Sequence, residues 1–319
     1  MRLHPPTRST LKMDTLLFIA PAMFLAIAFL FPVRSSATAS IAIGVLEETV
    51  TPNDTNNELP GGLRILFKKA GRDWQTLCDS NTAQCNFSSA GELTDWYVQY
   101  NGKRLATIQT SGLPGSSSSD IGFLKIATAL VPIVGEKSNR WSNSTNTPVH
   151  RPLVATSVPL NPTPHIWKQT ASDASSIRMA WPLFHKNIPA VELCVSDKSG
   201  NLSKSKSRAT TLNDIEIDQT WLSAQRGRLI HVQIKPEIGK DCDWSIDADT
   251  QLWLHQLPNG KLFKLPAQAG EVIHPVDFGD FGNDHQEAAL FQLKGNNEGG
   301  YVLYYNNFRA RAKLSWAYH

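Results

Sequence analysis

The chain has 319 residues, with 31 Lys and Arg against 28 Asp and Glu, nine histidines and four cysteines. Four of the bases (Arg2, Arg8, Lys12 and Arg34) and one acid (Asp14) lie in the first forty residues, which leaves 27 of each sign beyond them. That balance excludes a nucleic-acid binder that works through a basic face, and the roughly 280 remaining residues suffice for a large core, in one β-rich domain or two smaller ones.

The first segment reads as an export signal. A basic start is followed by the apolar run Leu16 to Phe31, which Pro32 and Arg34 end. The run is short for a membrane-spanning helix, and Ala37-Thr38-Ala39 supplies a small-x-small cleavage site. Residues 1–39 are therefore expected to be a signal peptide, with residues 40–319 as a periplasmic or secreted domain that has no membrane span after cleavage. The alternative is an uncleaved signal anchor that holds the protein on the membrane. In an exported chain an even number of cysteines reads as disulfides. Of the three pairings that Cys78, Cys85, Cys194 and Cys242 allow, Cys78–Cys85 would close a short Ser/Asn loop and Cys194–Cys242 would tie two strand regions.

Next come strands at Ile41 to Leu46 and Leu63 to Phe67, with Trp74 to Leu77 as a partner of the latter. Asp95 to Thr110 is the clearest hairpin, since Asn101-Gly102 provides the positive φ angles of a type I′ turn between β-forming runs. Ile121 to Val134 reads as a buried strand. Val149 to Thr156 is extended, with Arg151 held out of the helical region by Pro152. Ser172 to Lys186 is the one helical stretch. Ser172 is placed to cap it, Ile177, Ala180, Trp181 and Phe184 follow at helical spacing, and Pro182 argues against its second half. Val191 to Ser196 is a strand, Ser199 to Lys206 a polar loop, Leu229 to Ile234 an alternating strand, and Gln251 to Leu265 a hairpin turning at Pro258-Asn259-Gly260. In the closing part, Ala288 to Leu293, Tyr301 to Tyr305 and Lys313 to Tyr318 are strands. The pattern predicts a mainly β fold of antiparallel hairpins, a sandwich or a β-propeller-like array, with one short helix.

The segment before these last strands reads Val276-Asp277-Phe278-Gly279-Asp280-Phe281-Gly282-Asn283-Asp284-His285-Gln286-Glu287. With Ala289-Leu290-Phe291 after it, it resembles the FG-GAP/VCBS-type repeat of integrin-like β-propellers over about one repeat, within a closing segment at residues 265–319. The longer ending, from Gly300-Tyr301 to Trp316-Ala317-Tyr318-His319, is similar to the C-termini of uncharacterised exported bacterial proteins. That likeness implies export and a β fold and brings no activity with it. In the FG-GAP-type repeat the loop binds calcium, so the resemblance implies Asp280 as the first ligand position and Asp284 as the fifth, with Asp277 or Glu287 as a further carboxylate. The third position is Gly282 and the ninth is Ala288, where the repeat has side-chain oxygens, and the sixth is His285, where the repeat has Gly.

Catalytic signatures are missing: there is no H-E-x-x-H, G-x-S-x-G or P-loop match. Ser203 to Lys206 and Lys198-Ser199-Gly200 echo penicillin-binding motifs in the wrong order and within ten residues. His150, His165, His185 and His285 are not spaced as paired ligands on one element. Nine tryptophans offer stacking faces for carbohydrate, although core packing is their usual fate. The expectation is an exported β-rich protein that acts in non-catalytic binding or envelope interaction, its specific function open, with protein or carbohydrate at the cell envelope as the candidate partners. The competing class is an extracytoplasmic hydrolase with a non-local His/Asp/Ser site.

Overall fold

Runs of alternating apolar residues recur along the chain, and in a computed structural model of the protein most of the described residues lie in strands. The structure describes residues 41–48, 58–76, 95–109, 125–132, 140–142, 148–150, 152–162, 166–196, 202–235, 238, 250–266, 271–295 and 298–317. The leader, Cys78, Cys85, Cys242 and His165 lie outside them. Among the described residues no helix is long and apolar enough to cross a membrane.

The first sheet contains β1 (Ala42–Glu48), β2 (Glu58–Ala70), β3 (Asp73–Thr76), β4 (Asp95–Tyr100), β5 (Lys103–Gln109), β6 (Lys125–Pro132) and, after the small pair β7 (Arg140–Ser142) and β8 (Pro148–His150), β9 (Leu153–Thr156). Its order is β3-β2-β1-β9-β4-β5, with β6 also on β2. The β4–β5 turn is the one the sequence predicts, with φ of 49° at Asn101 and 69° at Gly102. Next come β10 (Lys168–Thr170), α1 (Ala174–Asn187) and the two-stranded pair β11 (Ala190–Ser196) and β12 (Leu202–Ala209). The second sheet is β10-β13-β14-β15-β16, with β13 (Ile215–Ser223), β14 (Gly227–Ile234), β15 (Gln251–Gln256) and β16 (Leu262–Lys264). The third is an up-and-down meander of β17 (Val272–Gly279), β18 (Ala288–Gly295), β19 (Glu298–Tyr305) and β20 (Ala310–Ala317).

These sheets stack face to face, and the meander is the middle layer. Along β19, Tyr301 and Leu303 enter one core with Ile43, Val45, Leu66 and Phe67 of the first sheet. Val302 and Tyr304 enter another with Trp221, Leu229 and Trp253 of the second. Leu290 and Phe291 on β18 divide in the same way. Period-2 alternation with both faces covered gives a continuous apolar run, which is why these strands show no polar side in the sequence. On the far side of the second sheet, Ala180 and Phe184 of α1 pack on Ile215, Ile230, Val232 and Leu254. The result is a mainly β, antiparallel architecture of the sandwich or propeller-like type with a single helix among the described residues.

Three local expectations need correction. The cap of α1 is Asp173, whose Oδ1 accepts the Ser176 backbone N–H at 2.7 Å. Ser172 instead donates from its hydroxyl to the Ile217 carbonyl, 3.1 Å away. The helix also continues through Pro182. The lost backbone bond there is outweighed by burial of Phe184 and Ile188 beyond it, each such side chain contributing about 1.5–3 kcal/mol. Finally, much of the expected loop at Ser199 to Lys206 belongs to β12, because backbone pairing with β11, such as Leu193 with Lys206, places few demands on side-chain type.

Gly227 opens β14 with φ of 95°, and a Cβ on it would stand 1.8 Å from the Gln256 carbonyl oxygen. Gly227→Ala should therefore lower unfolding stability by about 1–3 kcal/mol, read as a reduced denaturant midpoint. An unchanged midpoint would mean that this approach is not needed.

Candidate functional site in the loop between β17 and β18

β17 runs through Asp277 to Gly279, so Asp277 lies on the strand and the loop proper spans 280–287. Asp280 folds that loop. It is 7 % exposed, and its two carboxylate oxygens accept the backbone N–H groups of Asp284 at 3.0 Å and His285 at 2.8 Å. Asn283 and His285 take left-handed φ values of 51° and 62°, a region Asn and His enter more readily than most residues. Burial pushes the Asp280 carboxyl up, against the lowering effect of the two N–H donors.

One flank of the loop is tied to the first sheet. Lys69 on β2 donates from Nζ to the Gly282 carbonyl at 2.6 Å and to Asp284 Oδ2 at 3.0 Å. Burial would raise the Asp284 carboxyl, but the Lys69 hydrogen bond and charge hold it below its ordinary value. Asn283 accepts the Asn161 N–H on Oδ1 at 2.8 Å and donates from Nδ2 to the Pro159 carbonyl at 3.0 Å. A second polar tie between these sheets runs from Arg64 through Glu47 to the Tyr301 hydroxyl, which is 2.6 Å from Glu47 Oε1. The Arg64 guanidinium also lies over the Trp316 ring at 4.7 Å.

The other flank faces the β19–β20 turn and the second sheet. The Glu287 backbone N–H reaches Asn307 Oδ1 at 3.1 Å, and the Asn307 N–H returns to the Glu287 carbonyl at 3.0 Å. Arg226 donates to the His285 carbonyl at 3.1 Å. The Glu287 side chain turns inward, 2 % exposed, to the Trp167 indole N–H at 3.4 Å from Oε2. Burial pushes this carboxyl up to about 7, more than Trp167 and Arg226 offset. His255, its ring centroid 6.3 Å from that of Trp167, donates from Nε2 to the Arg226 carbonyl at 2.9 Å, and burial holds its imidazole below the usual range.

Of the carboxylates that the resemblance offers to calcium, Asp277 stays on β17, Asp280 and Asp284 lie within hydrogen-bonding reach of each other, and Glu287 is turned away from them. Asp280 faces backbone N–H groups, Asp284 faces an ammonium and Glu287 faces an indole. Calcium needs six to eight oxygens converging on one point, and this donor set does not fit it. Among the described residues no group of three or more His, Cys, Asp or Glu side chains is placed to hold a metal ion.

The other candidates are dispersed. His185 stacks on Trp181 along α1, ring centroids 4.8 Å apart. His150 is on β8 and Cys194 on β11, and the side chains of both lie outside the described residues. Trp74, Trp96, Trp167, Trp221 and Trp253 are buried, so their faces serve the core. A polar cluster that sequence reasoning missed is Asp218–His231–Gln251. His231 Nδ1 lies 2.5 Å from Asp218 Oδ1 and its Nε2 lies 2.6 Å from Gln251 Oε1, while the ring stacks on Trp253. A register shift between Ile217 and Gln219, of the kind a β-bulge makes, turns Asp218 toward the ring. The alternation of Ile215 and Ile217 would have disclosed the strand, but not the bulge.

Comparison with protein-family models, with curated proteins and with solved structures finds no match to this chain.

Proposed function

We propose that this is an exported, non-catalytic β protein that binds protein or carbohydrate at the cell envelope, with the loop at 280–287 acting as a structural clasp. The observation that carries the reading is the commitment of all three loop acids. Asp280, Asp284 and Glu287 each hold part of the fold, and none presents a free carboxylate to a substrate. The hydrolase reading has a counterpart in Asp218–His231, a carboxylate-oriented imidazole of the kind used in general-base catalysis. There Gln251 meets Nε2, the nitrogen that would have to face a nucleophile.

Expression of the full chain with its own leader tests export. The extracytoplasmic fraction should contain a protein beginning at Ser40, identified by N-terminal sequencing, that co-sediments with isolated envelope material. Recovery only from the cytoplasm with residues 1–39 attached would reject export. Turnover of chromogenic esters or glycosides by the purified protein, abolished by His231→Ala, would reject the non-catalytic reading.

A further inference from the structure

Lys69 and Gly282 are coupled in a way that neither residue discloses alone. Gly282 stands at the third position of the loop, where the resemblance calls for a side-chain oxygen. Its φ does not require glycine, since it lies outside the left-handed region. A Cβ on Gly282, however, would stand 2.6 Å from Lys69 Nζ, 3.0 Å from Asp284 Oδ2 and 3.1 Å from Asp284 Cγ. The ammonium therefore occupies the space that a third-position side chain would use. Lys69 is well placed to hold it there: its side chain is 15 % exposed, on a strand of the first sheet, and its contacts are the Gly282 carbonyl and the Asp284 carboxylate. Those two oxygens come from the third and fifth positions of the loop.

We propose that the Lys69 ammonium, admitted by Gly282, is the built-in cation of this loop, so that a covalently tethered charge does the work that a bound divalent ion does in loops of similar sequence. A tethered ammonium differs from an ion in two respects. It cannot be removed by chelation, and it reaches across from another sheet, so that neutralising the loop and docking the sheets are one event. Lys is suited to this role because it carries a compact charge with three donors on a flexible stem.

The test uses the full mature chain and calcium chloride as the probe. Wild-type protein should show the same Tm in millimolar calcium as in excess chelator. The paired change Lys69→Ala with Gly282→Asp removes the ammonium and supplies the third side-chain oxygen. That variant should bind calcium by titration calorimetry, with a Tm that climbs with calcium and falls back with chelator. A wild-type Tm that rises in calcium and falls in chelator would overturn the proposal, as would a folded double variant that takes up no calcium. If the double variant does not fold, Gly282→Ala decides. It should lower Tm in the wild-type chain and leave it nearly unchanged in a Lys69→Met background. Equal losses in both backgrounds would show that the glycine is not there for the ammonium.

Discussion

Glu287→Gln should stabilise the protein at neutral and alkaline pH. The folded state holds the Glu287 carboxyl at about 7 against an ordinary value of 4.5, through burial. A group whose folded value is raised contributes stability that is fully present below its unfolded value and is lost as pH rises through the folded one. Here the loss should run from about pH 4.5 to about pH 7 and amount to something on the order of 3 kcal/mol. Glutamine keeps the neutral form at every pH and retains an oxygen for the Trp167 indole. The variant should therefore unfold several degrees higher than wild type at pH 8, with the difference closing by pH 4.5. A gap of the same size at both pH values would show that ionisation of this side chain is not its source.

Phe291→Ala should produce the largest loss. The ring is fully buried. It meets Trp253 and Tyr304 edge-on, with centroids 5.1 and 5.5 Å away, and Phe278 at 6.5 Å. Removing a ring from such a site costs about 3–5 kcal/mol, because the transfer term and the residual cavity add. The control is Leu105→Ala on β5, where the side chain is 40 % exposed and the change should stay within about 0.5 kcal/mol. Urea denaturation of the two variants side by side checks the contrast. A Phe291→Ala protein as stable as the Leu105→Ala protein would mean that the meander and the second sheet do not share the core described.

The parts of this fold that were legible in the sequence are local ones. Asn101-Gly102 specifies its turn with two residues, and the helix announces itself by the spacing of Ile177, Ala180, Trp181 and Phe184. The apolar runs at Ala288 to Leu293 and Tyr301 to Tyr305 are readable as strands. Their position as the inner layer is not, since it depends on sheets built from residues far away in the chain. The loop shows the same division. Its acids and its glycine stand out in the sequence, yet their partner Lys69 lies 213 residues before Gly282, and no spacing rule connects the two. Asp218 escaped for another reason. Its meeting with His231 depends on a bulge, and one inserted residue in a ladder leaves little trace in an alternating pattern.

The meander from Val272 to Ala317 lies between two sheets that both precede it in the chain. On a ribosome, both outer layers emerge before the layer they wrap. Each then presents an uncovered apolar face until the last strands arrive, and long-range pairings of this kind form slowly. The polypeptide gains its full core only when those strands have been delivered. A chain stopped short of β17 would leave Phe67, Val154, Trp221 and Trp253 without their cover, a surface suited to capture by chaperones or removal by proteases.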